Sequence, residues 1–136
     1  MVRTSRGEPM PYPNKTNYSE HFTRRELDCH CGCDTPLSIE RELYLTALEL
    51  EKLRAVVGMP LYINSGYRCP PYNKRIGGAP KSQHMQGKAA DISARCSPSY
   101  VAMAAEKVPA FENGGICKYA GFTHVDRRGY QARWEV

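Results

Sequence analysis

Nowhere do the 136 residues contain an apolar run approaching the ~20 residues that cross a bilayer, which excludes a helical membrane span. The first residues, Met1 to Pro13, have no apolar stretch of the kind a secretory leader needs, and they carry Pro9, Pro11 and Pro13. The expectation is a mature exported chain, or one made in the cytosol and released by another route. Lysine and arginine never form a run interleaved with aromatics, so nucleic acid is not the expected partner. No internal repeat and no coiled-coil period is visible.

What is present suits one compact domain. Apolar residues make up 41% and charged residues 24%, ordinary values for a globular chain with its own core. The net charge of +5 is either a solubility margin or an attraction to a polyanion. Six cysteines are spread over Cys29, Cys31, Cys33, Cys69, Cys96 and Cys117. A domain of this size does not need disulfides, and the expectation is mostly free thiols. The chain is expected to act as a monomer.

Residues 1–18 read as a Pro-rich arm, and residues 19–136 as the domain proper. Thr23-Arg24-Arg25-Glu26 has the pattern of a capping box and opens a short helix. Residues 38–57 form the clearest element. Ile39, Leu43, Ala47, Leu50 and Val57 share one helical stripe with Leu53 beside it; Ser38 is the expected N-cap, and Gly58 and Pro60 stop the helix. Short strands are expected over 61–64 and 88–93, with helical turns over 70–76 between them. Ser97-Pro98 opens a further helix running to about Val108. After Asn113-Gly114-Gly115 the segments 116–119, 122–127 and 132–135 look like antiparallel strands. The order of elements gives α+β: helices packed on one small antiparallel sheet.

The chemistry concentrates in three places. His84 lies in a Ser- and Gly-containing loop just before a strand. Asp91 lies inside that strand, between Ala90 and Ile92, where a bare carboxylate is costly and needs a partner. That partner is either a divalent metal or an arginine. His124 lies in another apolar strand and, by period two, shares a face with Asp126. Two histidines and a carboxylate are a recurrent ligand set for catalytic zinc, with the fourth position left to water. Cys29-His30-Cys31-Gly32-Cys33 is a separate loop. Its spacing is not that of an ordinary zinc ribbon. Free thiols, a disulfide and a second, structural ion at Cys29, Cys31 and Cys33 with a fourth ligand such as Cys69 all stay open.

These motifs together resemble a known family. S-G-Y-R at 65–68, Asn73, G-G-A at 77–79, S-x-H at 82–84, the spacing H-x6-D and H-V-D at 124–126 are similar to the zinc D-alanyl-D-alanine peptidases. More narrowly, they resemble the small peptidoglycan peptidases of phage endolysins and bacterial wall enzymes, whose fold is shared with the hedgehog signalling domain. The resemblance covers roughly residues 19–136. It implies a zinc-dependent carboxypeptidase or endopeptidase acting on peptidoglycan peptides. It implies His84, Asp91 and His124 as zinc ligands, Arg68 facing the substrate, and Ser82 near it. It also exposes a departure. Many relatives carry an acid three residues before the last zinc histidine or a histidine two before it, and here those positions are Gly121 and Phe122. Asp126 is the expected base in their place, with the orientation of His124 or Arg68 as its other role. A zinc-bearing domain that binds without cutting is the alternative.

Overall fold

The computed structural model describes residues 11–136. Residues 1–10 of the expected arm lie outside that range. The rest of the arm runs into β1 (Asn17–Ser19), which pairs antiparallel with β2 (Phe22–Thr23). Tyr18 and Phe22 are fully buried, so the domain's packing begins before residue 19. Thr23 then caps α1 (Arg24–Leu27) through the reciprocal capping box with Glu26.

The long helix α2 (Leu37–Val57) buries Leu43, Ala47, Leu50, Leu53 and Val57 on one stripe. It begins slightly earlier than expected. The carbonyl of Pro36, not the hydroxyl of Ser38, starts it by accepting from the N–H groups of Ile39 and Glu40. Gly58 ends it in the left-handed conformation (φ 81°), which few other residues would adopt there. After β3 (Tyr62–Ser65) come α3 (Pro70–Arg75), a single 3-10 turn (Gln83–Gln86) and β4 (Ala89–Ser93). The expected helix 97–108 is two helices, α4 (Pro98–Ala105) and α5 (Pro109–Glu112). Pro109 explains the break, because it holds Val108 extended (φ −104°, ψ 110°). Strands β5 (Gly115–Lys118), β6 (Thr123–Asp126) and β7 (Ala132–Arg133) complete the chain.

Five strands form one sheet in the order β3-β4-β6-β5-β7. All pairs are antiparallel except β5 with β7, which is parallel. That one pair departs from the expected all-antiparallel strand set. The α+β class with a small, mainly antiparallel sheet is as expected. The register separates the sheet's two faces. Ala90 pairs with Val125, which pairs with Ile116, and this row belongs to the hydrophobic core beside α2 and α4. The next row, Asp91 with His124 with Cys117, points the other way.

Candidate metal centre

Strand pairing sets Asp91 and His124 side by side on the central strands β4 and β6. His84 reaches them from the 3-10 turn, which is held at both ends. Ser82 accepts from the His84 N–H at 3.1 Å, and Gly87 closes the turn in the left-handed conformation. The hydroxyl of Thr46 on α2 donates to the Gly87 carbonyl at 2.8 Å, tying the turn to the long helix. One ligand atom from each of His84, Asp91 and His124 falls within 4.8 Å of the others. All three residues are buried.

The hydrogen bonds around these groups place the outer hydrogen of each ring. His84 Nδ1 lies 2.8 Å from the Gly66 carbonyl, which can only accept, so Nδ1 carries the hydrogen. His124 Nε2 lies 2.7 Å from Asp126 Oδ2 and carries the hydrogen there. In the neutral imidazoles the remaining atoms, His84 Nε2 and His124 Nδ1, present lone pairs. Both converge on Asp91 Oδ1, at 3.2 and 3.0 Å. With both rings neutral, two lone pairs and a carboxylate oxygen meet at one point, an arrangement completed either by a proton on a ring or by a bound cation. The donor set, two nitrogens and one oxygen with an open side, fits catalytic zinc.

The titration of these groups follows the same geometry. Burial alone would raise the Asp91 carboxyl, but hydrogen bonds to His124 and His84 outweigh it and hold it far below the usual range. Burial alone would lower His124, but Asp126 and Asp91 outweigh it and hold its pKa above the ordinary value.

Asp126 is fully buried beneath the site and does not line the cleft. Oδ1 accepts from the Gly115 N–H (2.8 Å), the Arg128 N–H (3.1 Å) and Arg128 Nε (2.9 Å). Oδ2 accepts from His124 Nε2 and from Arg128 Nη2, each at 2.7 Å. Gly115 is required beside it, because a Cβ there would stand 2.2 Å from Oδ2. Burial would raise this carboxyl too, yet Arg128 and His124 hold it well below the usual range.

Arg68 reaches the other oxygen of Asp91, Oδ2, with Nη2 at 3.1 Å, and its Nε donates to Ser65 Oγ at 3.0 Å. Its backbone N–H donates to the His84 carbonyl at 3.1 Å. Asn73 and Gly78 complete its cradle; a Cβ on Gly78 would meet Asn73 Oδ1 at 2.0 Å. This accounts for Asn73 and the G-G-A motif as scaffold. The cleft above these groups measures about 670 Å³, and Arg68, Lys81, Ser82, Phe122, Arg128 and Trp134 are among its walls. Among the described residues, Asp91 is the one acidic group of that lining. Arg128 and Trp134 were not read from sequence. The run His124–Arg128 contains Arg127 and Arg128 in succession just past the end of β6, and nothing in the local sequence tells them apart. Arg128 turns to Asp126, while Arg127 turns to Glu42 and Thr46 on α2. Trp134 comes from the tail after β7 and places its ring 5.2 Å from that of His124.

Comparison with known proteins adds an independent line. The model of the peptidase M15 family matches residues 20–126. The zinc D-Ala-D-Ala carboxypeptidase of Streptomyces albus G is 38% identical over 81 residues. The match takes in 54% of this chain but 31% of that protein, so the chain corresponds to about a third of that relative's length.

Proposed function

From the premise that the chain belongs to the peptidase M15 family, we propose that it is a zinc metallopeptidase hydrolysing peptide bonds of bacterial peptidoglycan. The observation that carries the reading is the convergence of one imidazole nitrogen from each of His84 and His124 with Asp91 Oδ1 at the floor of an open, cationic cleft. His84, Asp91 and His124 would hold the ion. Once bound, zinc supplies a Lewis acid that activates water and polarises the scissile carbonyl.

The chain's own residues supply the rest. Arg68 lies beside the metal ligands with a guanidinium suited to a carbonyl oxygen gaining charge, or to a substrate carboxylate. Lys81 and Arg128 add positive charge to the walls, which suits stem peptides with free carboxylates. Ser82 keeps its hydroxyl hydrogen for substrate, since its oxygen is occupied as an acceptor at the turn. We assign Asp126 to positioning. Its oxygens are taken by five donors, so it fixes the tautomer and tilt of His124 and has no free edge toward a water in the cleft. Residues from Asn17 onward form the peptidase domain. Removal of a terminal D-alanine and cleavage of a cross-bridge are both compatible with this cleft, and the relative's printed activity favours the first.

A second reading has its own support: among the described residues no acid other than Asp91 lines the cleft, as a domain that binds without cutting would have it. The deciding experiment uses zinc-loaded protein with purified peptidoglycan and with a peptide ending in D-Ala-D-Ala, products being read by mass spectrometry. Hydrolysis of either that is lost in His84→Ala supports the peptidase. Full zinc occupancy with no cleavage of either substrate would sink it in favour of the binding domain.

A further inference from the structure

Cys29, Cys31 and Cys33 follow α1 in one tight loop, and Cys69 arrives from the segment that carries Arg68, forty residues on. The four sulfurs lie within 4.8 Å of one another. Cys29 Sγ stands 3.3 Å from Cys31 Sγ and 3.7 Å from Cys69 Sγ, and Cys31 and Cys69 are 3.6 Å apart. A disulfide would need about 2.05 Å. Four thiolates on one zinc, each about 2.3 Å from it, form a tetrahedron with edges of about 3.8 Å. The observed separations belong to the second geometry.

The backbone is shaped to the same end. Gly32 adopts φ 86°, and its N–H donates to the Cys29 carbonyl at 3.1 Å. This tight turn lets Cys31 and Cys33 face a common point from either side of it. The Cys69 N–H is directed at Cys29 Sγ at 3.4 Å, a donor that suits a thiolate better than a thiol. Cysteine is among the residues most often buried, yet Cys31 and Cys33 are exposed. Packing therefore does not account for them.

We propose that Cys29, Cys31, Cys33 and Cys69 form a second, structural metal site that takes zinc or a similar thiophilic divalent cation. The site is closed by four protein ligands and leaves no position for water, so its role is to clamp. It joins the loop after α1 to the segment 66–69. The same segment carries the Gly66 carbonyl that orients His84 and the Arg68 side chain that reaches Asp91. The contact is close already: the Tyr67 N–H donates to the Leu27 carbonyl at 2.7 Å.

The test uses the full chain purified under reducing conditions with zinc and then desalted. Metal analysis should give two equivalents per chain, falling to one in His84→Ala and to one in Cys31→Ser. Cobalt loading provides a second readout that needs no activity. An intense near-ultraviolet thiolate-to-cobalt band should appear, persist in His84→Ala and vanish in Cys31→Ser. The wild-type chain and His84→Ala suffice if the cysteine variant fails to fold. A single equivalent in the wild type that is lost in His84→Ala, with no thiolate band, overturns the proposal and leaves the catalytic assignment standing. Disulfides among these four cysteines that survive as the metal-competent form overturn it as well. Two equivalents and a thiolate band that both ignore Cys31→Ser and Cys33→Ser would also refute it.

Discussion

Asp126 sits two residues from His124, yet it meets the nitrogen of that ring which points away from Asp91 and His84. Asp126→Ala should therefore weaken zinc binding by about 10–100-fold, as losing a carboxylate behind a ligating histidine does. Zinc affinity measured against a chromophoric chelator checks this. If Asp126 were instead the base, affinity would hold and the acidic limb of kcat/KM would disappear. Arg68→Ala should retain metal and lower kcat/KM by about 10²–10³-fold, the usual effect of removing one charge-stabilising donor. The pH dependence follows from His124, whose pKa is held above its ordinary value by Asp126 and Asp91 against the effect of burial. The imidazole must be neutral to take a metal. Affinity is thus full in alkali and falls as pH drops through a point higher than that of an ordinary histidine at about 6.5. In chelated protein the sign reverses. The protonated pair stabilises the fold below the unfolded pKa, and that contribution is lost as pH rises through the raised one. Melting curves with and without chelator across pH 5–9 should diverge in this way.

At the level of elements, the β1–β2 hairpin is held to α2 by Glu51. Its carboxylate accepts from Ser19 Oγ at 2.6 Å and from the His21 N–H at 2.7 Å. Burial would raise Glu51, but these bonds outweigh it and hold it below its usual value. Its contribution is present above the unfolded pKa of about 4.3 and is lost as pH falls through the lower folded one. Glu51→Gln should cost about 1–2 kcal/mol at neutral pH by denaturant unfolding, and the gap should close in acid. Gly66, just after β3, packs against the backbone at the end of α1. A Cβ there would meet the Leu27 carbonyl oxygen at 2.5 Å, backbone against backbone, so Gly66→Ala should cost about 1–3 kcal/mol. Elements with strong local signals were legible in sequence. The α2 stripe, the Thr23–Glu26 capping box and the H-x6-D spacing are examples, because period and capping are local properties. Three features were not. The parallel β5–β7 pair depends on where the tail returns. The split at Pro109 depends on whether a proline opens a new helix or merely ends the old one. The placing of Arg128 and Trp134 on the cleft depends on strands that meet only in three dimensions.

Across the whole molecule, the net charge of +5 and the cationic cleft act in the same direction. If the chain acts on wall peptides as proposed, its action on intact, anionic wall should fall as ionic strength rises, because long-range attraction fades once the screening length drops below about 10 Å. Cleavage of a short soluble peptide should be much less sensitive. Comparing the two substrates over a salt series checks this, and equal sensitivity would argue against any role for surface charge.

Strand β6 serves two sides of the molecule at once. Val125 faces the core, while its neighbours His124 and Asp126 lie on the face that carries Asp91. Loosening of the core at this strand should displace His124, one of the proposed metal ligands, before the fold gives way. Inactivation during storage or mild warming should accordingly begin as ion escape from a chain that is still folded. A stale preparation should revive when zinc is restored, until the core itself is lost.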